Sequence, residues 1–231
     1  MIHGDNDYAL SRLRARIGGR MRNPQWAQVS AARSLAGVIE QLRASGAADW
    51  IEGLGSHGGA HRIETHLRKR FIDKLDELCG WADPVWQPAL KWCARLVDLP
   101  ALRHARIKHT NFRPSDWRVG ELAIFEQPAS VQPFAADAIW LQELQRRLPR
   151  LIADDRTELA LLVRNIHQHR QRFSALPAGN GWPERERLQL GLLARMRRHP
   201  LSPVHLLTAV ALLWLEHERV RGELLRLAAL A

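Results

Sequence analysis

Along nearly the whole chain, apolar residues recur at intervals of three and four, the period of a helix face, and seldom at two, the period of a strand. A sequence patterned this way folds by packing helix stripes on one another. The expected fold class is therefore all-α, a multi-helix bundle. At 231 residues, 46% of them hydrophobic, either one large core or two smaller helical subdomains would close. The break in the period falls at 110–133, where three prolines and the short apolar patch Leu122 to Phe125 read as an irregular linker or arm. It separates an N-terminal helical unit, 1–109, from a C-terminal one, 134–231.

In the first unit, Leu10, Leu13, Ile17 and Met21 form one stripe and Arg12, Arg16 and Arg20 another, so the opening helix is expected to be basic on its outside. Asp5 or Asp7 is placed to cap it, and Gly18 and Gly19 weaken its end. Pro24 begins a new segment, and Ser34 caps a short helix running to Leu42. From His61 the pattern is strongest: Ile63, Leu67, Phe71, Leu75, Leu78 and Cys79 share a face, while Glu64 and Arg68 are spaced to pair on another. Pro84 opens the next segment, Pro88 shifts its true start, and Pro100 is expected to close it.

In the second unit, Ile139, Trp140, Leu144 and Leu148 define a helix ended by Pro149, and Asp154 or Asp155 is expected to cap the next. Pro183 then opens a helix carrying Leu188, Leu192, Leu193 and Met196. The closing helix puts Leu206, Val210, Leu213, His217, Val220, Leu224 and Leu227 on one stripe and Glu216, Arg219, Glu223 and Arg226 on a second. Charges at that spacing normally form a solvated face, and that is the expectation here.

The net charge is +10, and thirty of the thirty-four basic residues are arginines, which points to anionic partners: nucleic acid, acidic lipid headgroups or acidic protein surfaces. Chemistry is harder to find. There is no Gly-x-Ser-x-Gly elbow and no phosphate-binding glycine loop. His57, His61 and His66, and the pair His167 and His169, are not at chelating spacings, since residues two apart on a helix point in nearly opposite directions. Cys79 and Cys93 are too few for a disulfide framework and point to a reducing compartment; Cys79 reads as a small hydrophobe on a helix stripe, and Cys93 as the same or as a half-exposed thiol. Trp81, Trp86, Trp92, Trp140 and Trp214 sit beside apolar helix positions and read as core. No catalytic residue, metal or cofactor is expected. The first twenty residues contain no apolar h-region, and the run Leu206 to Leu215 is well short of the roughly 20 residues that span a bilayer.

Two segments at opposite ends of the chain resemble one family. Asp7-Tyr8-Ala9-Leu10-Ser11-Arg12-Leu13-Arg14-Ala15-Arg16 is similar to the tyrosine-then-arginine start of the central-stalk adaptor family of V-type and A-type rotary ATPases, which has prokaryotic and eukaryotic members. Pro203-Val204-His205-Leu206-Leu207-Thr208-Ala209-Val210, running into Trp214-Leu215-Glu216-His217-Glu218-Arg219-Val220-Arg221, resembles the family's last helix. Ile63-Glu64-Thr65-His66-Leu67-Arg68 is compatible with it. The residues carried over are Tyr8, Arg12, Arg16, Glu216, Glu218 and Arg221, in a chain shorter than the family's full-length members.

The resemblance implies a non-enzymatic, funnel-like or curved helical adaptor, cytoplasmic and peripheral to the membrane. Its partners would be other components of the rotary ATPase, the membrane ring and the shaft, and its work the transmission of torque without chemistry of its own. The alternative is a helical nucleic-acid-binding protein using its arginine-rich faces, with binding that weakens as salt rises. An enzyme assembled from scattered His, Glu and Arg residues is the third reading, and it would require a polar pocket that gathers them.

Overall fold

The computed structural model describes residues 4–56, 58–100, 135–176 and 181–228, so the expected linker at 110–133 lies outside the described residues. The described chain is all-α: every regular element is helical and no strand occurs among the described residues. The α-helices are α1 (Gly4–Gly18), α2 (Asn23–Ala31), α3 (Leu35–Arg43), α4 (Ala48–Ile51), α5 (Ala60–Trp81), α6 (Gln87–Cys93), α7 (Ala135–Arg147), α8 (Ala153–Ser174), α9 (Trp182–Arg198) and α10 (His205–Ala228). Short 3₁₀ turns, Pro84–Trp86 and Ala94–Val97, flank α6.

The architecture is centred on α10. It packs along α5 and also meets α1, α3, α6 and α9, while α8 and α9 pair with each other and α7 rests on α6. Fifteen of its twenty-four residues are buried, which makes it a core helix enclosed on several sides rather than a surface helix with one apolar stripe. Buried residues from Ala9 to Leu227 belong to one hydrophobic cluster, so residues of both expected units share a core.

Local chemistry explains most boundaries. Ser34 is the N-cap of α3 and its hydroxyl accepts from the Gly37 N–H at 3.1 Å, while the Ser45 hydroxyl donates to the Leu42 carbonyl at 2.7 Å and closes that helix. Pro24, Pro88 and Pro183 occupy first-turn positions of α2, α6 and α9, where a proline loses no hydrogen bond. The buried face of α5 is the one its period foretells, Ile63 to Cys79. Gly46 sits so close to the end of α1 that a β-carbon there would lie 2.0 Å from the Gly19 carbonyl oxygen, so only glycine fits.

Several expectations are corrected. Asp5 and Asp7 lie inside the opening turns of α1, which begins at Gly4. Asp154 and Asp155 likewise sit within the first turn of α8, whose N-cap position is Ile152, and Asp155 instead accepts from the Ser202 hydroxyl at 2.8 Å. Those two carboxylates still favour α8 through the helix dipole. Pro100 does not close its segment, because Leu99 and Pro100 are both helical. Glu64 and Arg68 do not pair along α5: Glu64 binds Arg221 and Arg68 binds Asp98. The one-turn helix α4, which buries Trp50 and Ile51, had no sequence signal beyond its two large apolar residues.

Candidate interaction site

The six residues carried by the resemblance fall into two groups. Tyr8, Arg12 and Arg16 stand at successive turns of α1, and α5 supplies Trp81 beside them. The Arg12 guanidinium carbon lies 6.0 Å from the Tyr8 ring and 5.0 Å from the Trp81 ring; that of Arg16 lies 6.0 Å from Trp81. Arg16 also pairs with Glu77 of α5 at 2.8 Å. Tyr8 is 59% exposed, and the similarly bare Val85, at 55%, belongs to the segment tied to α1 by the Asp83 N–H, which donates to Asn6 at 3.2 Å. Tyr, Trp and Arg are the residue types that dominate binding at protein interfaces. Arg20 departs from the basic outer stripe: past the end of α1 it turns inward, its side chain 11% exposed.

Glu216, Glu218 and Arg221 make the second group, and they are not a solvated face. Each is tied to a different surrounding segment. The Glu216 carboxylate lies 3.6 Å from Arg20, whose guanidinium also donates to the Leu212 carbonyl at 2.8 Å. Glu218 pairs with Arg185 of α9 at 3.3 Å. Arg221 makes a two-pronged contact with Glu64 of α5, its Nε donating to Oε1 at 2.8 Å and Oε2 at 2.9 Å. The rest of the charged stripe is occupied in the same way, Arg219 pairing with Glu186 at 2.9 Å and Glu223 accepting from the Ser30 hydroxyl of α2 at 2.6 Å. Since successive helix residues are about 100° apart, turning α10 by one position would break all of these pairs together. Together these buried and half-buried charges register the rotation of α10 against its neighbours.

Aromatic rings line this polar girdle. Arg219 lies 4.9 Å from both Trp26 and Trp182, and Arg185 lies 4.5 Å from Trp182 and 4.7 Å from Phe173. Trp182 reaches α10 because Gly222 leaves room: a β-carbon there would be 3.0 Å from the indole. The cleft between Trp26, Trp182, Arg20 and Glu216 has a volume of only about 10 Å³, room for one water and no larger ligand. On the opposite side of α10, His217 stacks on Trp214 at 5.0 Å and is walled by Phe71 and Trp50 at 5.5 and 5.8 Å. Sequence reading missed Arg20, Arg185, Trp26 and Trp182 as partners because none of them belongs to α10 and no local spacing links them to it. The only available signal was the excess of arginine near glutamate-bearing helices.

Electrostatics follows burial. Burial pushes the Glu218 carboxyl up, but the adjacent His217 ring and the Arg185 and Arg221 guanidiniums more than offset it and hold that group below its ordinary value. The Glu64 hydrogen bonds raise Arg221 further, whereas burial lowers Arg20 and Arg185. Burial pushes the Cys79 thiol up to about 11 and raises Cys93 as well, so both are protonated, non-nucleophilic thiols at neutral pH. Among the described residues no group of three or more His, Cys, Asp or Glu is arranged to hold a metal ion, and no helix is long and apolar enough to cross a membrane.

Burial also lowers His66, His169 and His205 below the usual imidazole value of 6.5. Around His205 the charged neighbours are Glu158, Arg195 and His199. A depressed folded value means that the unfolded chain binds more protons, so stability is full above about 6.5 and is lost as pH falls below it. The melting temperature is thus expected to drop on mild acidification, and His205→Gln to show a smaller drop. Equal pH dependence in the two proteins would remove His205 as a cause.

Comparison of the chain with protein-family models, with curated proteins and with solved structures finds no match.

Proposed function

We propose that this chain is a non-enzymatic adaptor of the central stalk of a V-type or A-type rotary ATPase, joining the rotor shaft to the membrane ring on the cytoplasmic side. The observation that carries the reading is the Arg221–Glu64 ion pair, which joins the closing segment that resembles the family to the segment on α5 that is compatible with it, across 157 residues of sequence. The opening segment that resembles the family belongs to the same assembly, since α1 packs against both α5 and α10. An adaptor that passes force between partners needs a stiff body and a grip. The α5–α10 pair with its ring of cross-helix ion pairs supplies stiffness, and the Tyr8, Arg12 and Trp81 cluster has the composition of a grip.

Affinity capture of the tagged full chain from gently solubilised membranes of its own cells, read by mass spectrometry, tests this. Ring and shaft proteins of a rotary ATPase are expected in the captured complex, and Arg12→Glu is expected to reduce their yield at least tenfold if that arginine is an interface hot spot worth about 2 kcal/mol. Capture of neither, together with tight, salt-sensitive binding of the purified chain to duplex DNA, would replace this reading by the nucleic-acid one.

A further inference from the structure

Where α8 begins and α9 ends, the molecule presents a cationic edge studded with bare aliphatic side chains. The two helices meet there through Arg195, which donates to the Glu158 carboxylate at 2.6 Å and to the Glu158 carbonyl at 2.9 Å, and through the Ser202–Asp155 hydrogen bond at 2.8 Å. These contacts use up the carboxylates that face the junction, leaving Asp154 as the exposed acid among residues 150–157 and 197–202. Arg156, Arg197 and Arg198 are exposed beside it, with no carboxylate partner among the described residues. Arg14 of α1 joins them, its guanidinium donating to the Pro200 carbonyl.

Set among these arginines are the two most exposed large aliphatic residues of the described chain and a third bare one. Leu201 is 68% exposed and adjoins Ser202; Leu190, 67% exposed, lies two turns before Arg197 on α9; Ile152 is 50% exposed, just before α8. Bare aliphatic groups interspersed with guanidiniums have the composition of a surface that meets an anionic, amphipathic partner.

We infer that this edge is a membrane-contact surface, which docks on a bilayer carrying anionic headgroups by pairing Arg156, Arg197 and Arg198 with phosphates and setting Leu190 and Leu201 into the acyl boundary. Charge complementarity selects the anionic surface, and the aliphatic side chains select a bilayer over nucleic acid, whose bases are engaged by aromatic stacking that the exposed residues of this edge do not offer. The binding is reversible and peripheral, since the contact consists of side chains and involves no spanning segment.

The inference stands apart from the stalk reading, and its test uses no component of an ATPase, so either can fail alone. The purified full chain is floated with phosphatidylcholine vesicles and with vesicles of phosphatidylcholine mixed with phosphatidylserine. Binding is expected only to the mixed vesicles and is expected to weaken with salt. Arg197→Gln with Arg198→Gln is expected to weaken it about fivefold for each arginine removed. Leu190→Ser with Leu201→Ser is expected to weaken it severalfold at unchanged helical circular dichroism, because both side chains are already in solvent. Equal binding to neutral vesicles, or no binding to either, would overturn the inference. So would a leucine variant that binds like the parent while duplex DNA competes the chain off, which would mark the edge as a general polyanion contact.

Discussion

Replacing Phe71 by alanine is expected to lower the stability of the chain by about 3–5 kcal/mol, the cost of emptying a large aromatic site in a core that collapses only partly. Phe71 is 0% exposed on the buried face of α5 and meets Trp214 edge-on with ring centroids 5.4 Å apart, so its loss strikes the contact between the two central helices of the fold. For a chain of this size that corresponds to a fall of roughly 10 °C in melting temperature. Phe71→Leu keeps most of the volume and is expected to cost less than about 1.5 kcal/mol. The expectation can be checked by urea unfolding of both variants. If the alanine variant lost less than the leucine one, α5 would not pack on α10 through this ring.

Glu216→Ala is expected to be as damaging, about 3–5 kcal/mol, for a different reason. Arg20 and Glu216 have side chains only 11% and 9% exposed, so removing the carboxylate strands a guanidinium whose hydration has already been given up. Burial lowers the Arg20 pKa and the Glu216 carboxylate counteracts it. The informative variant is the double one. Arg20→Leu with Glu216→Leu removes both charges, and replacing a buried pair by apolar groups is often close to neutral. The double variant is expected to be more stable than Glu216→Ala alone, a non-additivity that a double-mutant cycle reads directly. A single variant within about 0.5 kcal/mol of the parent would mean that the pair is in effect solvated.

What the sequence made legible and what it hid divide along a physical line. The face of α5 was readable because one stripe, Ile63 to Cys79, does one thing: it turns away from water. Ser34, Pro24 and Pro183 were readable because caps and first-turn prolines act within a few residues of themselves. The charged stripe of α10 was misread because glutamate and arginine at helical spacing look the same whether water or another helix surrounds them. Only the distant placement of Arg20, Glu64, Arg185 and Ser30 decides, and no local period encodes it. The same holds for Arg12 and Arg16, whose relation to Trp81 appears only when α1 lies along α5.

The central position of α10 also dictates an order of events in the living cell. Translation proceeds from the N-terminus, and Glu64 precedes Arg221 by 157 residues, so at ordinary elongation rates about ten seconds or more separate their emergence. Through that interval Ile63, Leu67 and Phe71 lack the helix that covers them. The buried face of α5 therefore waits for the helix that packs on it until the segment made latest of those described has emerged.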